Sequence, residues 1–131
     1  MRITADTNLL VRAAVLDDRR QARAAADMLR QAEIVAIPLP VLCEFVWVLS
    51  RGYGRQAVEI AEAIRRLADS ANISLDRPAT DAGLSVLEAG GDFADGVIAF
   101  DGRQLGGTVF VSFDRRAVEL IAATGGETQL L

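Results

Sequence analysis

Thr108-Val109-Phe110-Val111-Ser112-Phe113-Asp114-Arg115-Arg116-Ala117-Val118 is the stretch whose reading decides the fold. Its β-branched and aromatic run follows Gly106-Gly107 and reads as a short strand over Thr108–Ser112. Asp114 then opens a helix, Arg115–Ala123, which Gly125-Gly126 closes. The same succession stands at the other end of the chain. Arg2–Asp6 reads as a strand, and a helix follows from about Asn8 to Leu16. Between these ends the alternation continues. Asp17-Asp18 offers N-cap chemistry for a helix to about Ala32, and Glu33–Ile37 has a buried-strand pattern. Pro38 and Pro40 suit the first turn of a helix running to about Ser50. An amphipathic helix carries Ala57, Ile60, Ala61, Ile64, Leu67, Ala68 and Ala71 on one stripe. Ile73–Leu75 is a short strand, Thr80–Ala89 a helix stopped by Gly90-Gly91, Ala94–Leu105 a helix stopped by Gly106-Gly107, and Thr128–Leu130 an edge strand. Strands alternating with helices predict an α/β protein, a three-layer sandwich on a mostly parallel sheet. With 131 residues, no repeat and no linker, one domain over 1–131 is expected.

The missing residue types exclude more than the present ones suggest. There is no histidine, and all 14 basic residues are arginine. Ser-His-Asp and Cys-His catalysis, His-ligated zinc and imidazole-based ribonuclease chemistry are therefore closed to this chain. So are the Walker A lysine and Schiff-base enzymes. Cys43 is the single cysteine, so no intramolecular disulfide forms, and a reducing cytoplasm is the expected location. No apolar run approaches the roughly 20 residues of a membrane span, and the first residues lack the pattern of a signal peptide. The net charge is −4, yet Arg19, Arg20 and Arg23, Arg51 and Arg55, Arg65 and Arg66, and Arg115 and Arg116 form local clusters. Arginine forks match phosphate geometry, though such clusters also serve as ordinary solvated faces.

Carboxylate chemistry remains, and the acids stand in or beside apolar runs. Glu44 lies in Val41-Leu42-Cys43-Glu44-Phe45-Val46-Trp47; its helical neighbours Pro40, Val41, Trp47 and Val48 offer it no partner. A buried glutamate without a partner is costly, so the reading is either a ligand or an edge position that reaches water. Asp6 and Asp114 fall at the carboxyl ends of strands, where open parallel sheets bind ligands. Each also precedes a helix, and Asp is a favoured N-cap. Asp92 and Asp95 surround another helix start, where the dipole favours negative charge. If these acids converge, repulsion decides the outcome. Two like charges 4 Å apart repel by about 4 kcal/mol at an effective dielectric near 20, against a total domain stability of about 5–15 kcal/mol. Either some acids hold protons, or a cation sits among them, and an all-oxygen donor set favours Mg²⁺ or Mn²⁺.

The ordered set Ala5-Asp6-Thr7-Asn8-Leu9, Pro40-Val41-Leu42-Cys43-Glu44, Asp92-Phe93-Ala94-Asp95-Gly96-Val97-Ile98-Ala99 and Val111-Ser112-Phe113-Asp114 resembles the PIN domain, and within it the VapC-type ribonuclease toxins. The resemblance spans essentially the whole chain. It implies a five-stranded parallel sheet of order 3-2-1-4-5. It implies a metal site of Asp6, Glu44, Asp95 and Asp114, with Asp92 as an auxiliary acid and supporting hydroxyls from Thr7 and Ser112. Asn8 would line the pocket. It further implies an Mg²⁺- or Mn²⁺-dependent endoribonuclease, a homodimer, RNA as substrate and a neutralising antitoxin as partner. The reading from another class is a PIN-like module that binds RNA or protein without cutting. Phosphatases and receivers that use an aspartyl phosphate ordinarily need a lysine, and this chain has none.

Overall fold

Val35 is fully buried at the centre of a three-stranded parallel sheet. The computed structural model describes residues 1–131. Strand β2 (Ile34–Ala36) lies between β1 (Arg2–Thr4) and β3 (Ile73–Ser74), with Ile3 paired to Val35 and Val35 to Ile73. The β1–β2 ladder runs one residue further, because the Ala5 N–H donates to the Ala36 carbonyl at 2.9 Å. Ala5 is fully buried; Asp6, next in sequence, is exposed. The strand therefore ends by placing a carboxylate at the surface.

This sheet belongs to the first of two compact units, Met1–Asp76. Its helices are α1 (Thr7–Ala14), α2 (Arg19–Gln31), α3 (Leu39–Trp47) and α4 (Ala57–Asp69). The amphipathic stripe foreseen for α4 is real, with Ile60, Ala61 and Ile64 buried. Asp18 caps α2 as expected, accepting from the Gln21 N–H at 3.0 Å. Pro38 and Pro40 begin α3, since a missing N–H costs nothing in a first turn. The expected single helix to Ser50 differs: α3 ends at Trp47, and Val48–Gly52 winds as a π-helical turn.

The second unit is Arg77–Leu131. Helices α5 (Arg77–Glu88) and α6 (Phe93–Gln104) pack closely, and α7 (Arg115–Ala123) lies against β4 (Val109–Ser112) and β5 (Glu127–Leu130). Helices α5, α6 and α7 end alike. Gly90, Gly106 and Gly125 have positive φ, and the following glycines donate to Val86, Gly102 and Ile121 carbonyls. That is a Schellman closure, which needs a left-handed residue and hence glycine. Helix α5 begins at Arg77, earlier than the expected Thr80, with Pro78 in its first turn.

The fold is α/β with parallel strands, as the alternation predicts. The expected single sheet of order 3-2-1-4-5 is not what the strands form. The runs 3-2-1 and 4-5 are each present and parallel, as separate sheets of three and two strands. Alternation marks which segments are strands, but carries no signal for which distant strand each one pairs with.

Candidate metal centre

In the first unit, Asp6 caps α1: its Oδ1 accepts from the Leu9 N–H at 2.9 Å. The next residue, Thr7, donates its hydroxyl to Glu44 Oε2 at 3.1 Å. That bond draws Glu44, on α3, to the N-terminal end of α1 that Asp6 caps. Asn8 is exposed beside them.

Glu44 is exposed, at an edge position that reaches water. Leu42, Phe45, Val46 and Leu49 take the core side of α3 and the following turn. Glu44 falls on the opposite side, and so does Trp47, which is 63% exposed. The apolar neighbours that made Glu44 look stranded inside include a tryptophan facing solvent. The sequence reasoning missed Trp47. Its phase relative to Leu42, Phe45, Val46 and Leu49 was the available signal.

In the second unit, three acids act on one another. Asp92 caps α6, its Oδ1 accepting from the Ala94 N–H at 3.1 Å. Asp114 caps α7, its Oδ1 accepting from the Ala117 N–H at 3.1 Å. Ser112 Oγ accepts from the Asp114 N–H at 3.0 Å and so fixes the backbone that carries that carboxylate. Asp95, in the first turn of α6, is half-buried and makes no side-chain hydrogen bond. Its pKa is raised from the ordinary 3.8, first by burial, then by the negative charges of Asp92 and Asp114.

The N-cap readings of Asp6 and Asp114 are thus correct, Asp92 at the helix start proves to be a cap as well, and none of these bonds displaces the metal reading. Each cap engages Oδ1 and leaves Oδ2 free to accept elsewhere. As positioned, no three carboxylate or thiol side chains are close enough to hold one ion. The donor chemistry nevertheless suits a hard divalent cation: only oxygens are offered, and Asp95 is a half-buried carboxylate whose charged form a nearby cation would relieve.

The chain belongs to the PIN domain family, whose model matches residues 3–122. PIN domains are generally nucleases, typically dependent on divalent metals, and often occur in toxin–antitoxin systems. A search of characterised proteins returned no match. No helix is long and apolar enough to cross a membrane.

Proposed function

We propose that the protein is an Mg²⁺- or Mn²⁺-dependent endoribonuclease, the VapC-type toxin of a toxin–antitoxin pair. The observation that carries this reading is Asp95: a half-buried carboxylate beside Asp92 and Asp114, in a chain of a nuclease family. Asp6, Glu44, Asp95 and Asp114 are the proposed metal ligands, and Asp92 an auxiliary acid. The proposal includes the family's finer features: one domain over 1–131, a cytoplasmic homodimer and an antitoxin partner. Its support is that one family model spans residues of both units.

A bound divalent ion supplies charge neutralisation at the scissile phosphate and a more acidic water. The chain's own groups do the rest. Asp95, half-buried in the first turn of α6, is the carboxylate assigned to orient or deprotonate the attacking water. Thr7 holds one oxygen of Glu44, and the cap bonds of Asp6, Asp92 and Asp114 restrict their rotamers with one oxygen each still available. Side chains held in this way lose less freedom when they close on an ion and its substrate. In-line attack leaves a 3′-hydroxyl and a 5′-phosphate. Exposed arginines are the available contacts for the flanking backbone.

The test is cleavage of single-stranded RNA by the full chain with Mg²⁺ or Mn²⁺, with mapping of the new ends. Cutting should stop with a chelator, and with Asp6→Asn or Asp95→Asn while the circular dichroism spectrum is kept. Full activity under either condition refutes the metal mechanism. RNA binding with no cutting under any metal leaves the non-catalytic module instead.

A further inference from the structure

Along α3 and its π-helical continuation, Pro40, Glu44, Trp47 and Arg51 recur at i, i+4, i+7 and i+11, and all four are exposed. Trp47 is the chain's only tryptophan and shows 63% of its surface. A large ring left in water forgoes the burial that dominates folding. Its own helix explains the orientation but not the residue: Leu42, Phe45, Val46 and Leu49 already fill the core side. Trp47 stands one turn from Glu44, close enough for the two side chains to be neighbours on the helix surface. Arg51, four residues beyond, makes no ion pair, and Arg55 holds only an exposed contact to Glu59 at 3.8 Å. The surface therefore offers, in order, a proposed metal ligand, an aromatic plate and a guanidinium.

We infer that Trp47 is a stacking platform for an unpaired base of the RNA substrate next to the cleaved phosphate, with Arg51 holding the backbone beyond that base. This rests on the ribonuclease reading and adds to it the residues that contact the substrate, Trp47 for a base free to leave a stack and Arg51 for the backbone beyond. The chemistry favours a nucleobase over an apolar peptide. A guanidinium without a carboxylate partner, one turn beyond the ring, suits a phosphate that follows a stacked base. In a duplex every base is already stacked, so duplex RNA offers Trp47 nothing.

The experiment uses the intrinsic fluorescence of the full chain, which reports Trp47 alone among tryptophans. A short mixed-sequence RNA is titrated in EDTA, and again with Ca²⁺ in place of Mg²⁺, as single strand and as duplex. The single strand should quench the emission and the duplex should not. By an independent filter-binding assay, Trp47→Ala should weaken single-strand binding on the order of tenfold or more, the scale of one lost base–aromatic stack. Trp47→Phe should keep most of the affinity and Trp47→Leu should behave as alanine, because a stack needs a ring. Arg51→Ala should weaken binding and flatten its salt dependence. Equal quenching by duplex, no quenching, or unchanged affinity of Trp47→Ala overturns the inference. So does a Trp47→Ala protein whose only change is its oligomeric state, which would assign the ring to a protein contact. Cleavage without these effects removes the inference and keeps the ribonuclease. Quenching without cleavage under any metal removes the ribonuclease and keeps Trp47 as an RNA contact.

Discussion

Replacing Gly96 by alanine tests how closely α6 must approach α5 for Asp95 to be placed where it is. An added Cβ would lie 2.4 Å from the Ala82 carbonyl oxygen, 2.8 Å from Gly83 Cα and 2.9 Å from the Ala82 carbonyl carbon. All three are backbone atoms, so no side chain can swing aside. Restoring an ordinary contact needs the helices to part by nearly 1 Å, and a gap of about 0.5–1 Å forfeits roughly a quarter to a half of the dispersion energy of each contact it opens. Overpacking with no rotamer escape costs about 3 kcal/mol, the upper part of the usual range. Alanine returns about 1 kcal/mol through helix propensity. The net loss is about 2 kcal/mol, or a fall in Tm of about 8 °C for a domain of this size. Gly102→Ala is the control. It lies in the same helix with nothing within 4 Å of its added Cβ, so it should raise Tm. Thermal melts of the two variants with chelator present decide the matter. If Gly96→Ala melts at or above the wild type, the close approach of the two helices does not govern stability. Cleavage by Gly96→Ala should fall as well, because Asp95 precedes the displaced residue.

Asp114 separates its two roles by isostere. Asparagine caps as well as aspartate, so Asp114→Asn should melt within about 0.5 kcal/mol of wild type, whereas Asp114→Ala should lose about 1 kcal/mol. Both should lose Mn²⁺ binding by calorimetry; a fully metal-binding Asp114→Asn would reduce the residue to a cap. Asp95 gives the pH dependence. Its folded pKa lies above the unfolded one, so its contribution to stability is complete below about pH 3.8 and is lost as pH rises through the raised folded value. In chelator, Asp95→Asn should therefore melt above wild type at pH 7, with the difference closing as the solution is acidified. Mg²⁺ should raise the Tm of wild type and leave Asp95→Asn unmoved; a wild type indifferent to Mg²⁺ would count against a cation at this carboxylate.

The parts of the molecule that short stretches encode were legible. The glycine pairs Gly90-Gly91, Gly106-Gly107 and Gly125-Gly126 mark three helix ends because each closure is completed within six residues. Asp18, Asp6 and Asp114 announce helix starts for the same reason. Three things escaped. The π-helical turn at Val48–Gly52 changes the hydrogen-bond span by one residue, and no residue type signals such a change. The sequence neighbours of Glu44 are apolar, whereas its phase against the buried Leu42, Phe45, Val46 and Leu49 sets its exposure. Strand pairing is non-local, so the division into sheets of three and two strands has no counterpart in the alternation of the sequence.

Capping and metal binding usually compete as explanations for an acid at a helix start. Here the division of labour between carboxylate oxygens makes them compatible. The N-terminal ends of α1, α6 and α7 present unpaired N–H groups and a partial positive charge. Asp6, Asp92 and Asp114 each spend one oxygen on such an end, which partly offsets their negative charge without any ion. Asp95 has no cap to make and is buried further, and its pKa is raised by that burial and by the charges of Asp92 and Asp114. The capping acids can therefore be held in the fold before a cation arrives, while burial and like charge act against ionised Asp95. That carboxylate is one whose charge a cation would relieve. Burial and two neighbouring negative charges at Asp95 leave a driving force for loading. It follows that removing the Asp95 charge should cost metal affinity and improve apo stability together, whereas removing a capping aspartate by alanine should cost both.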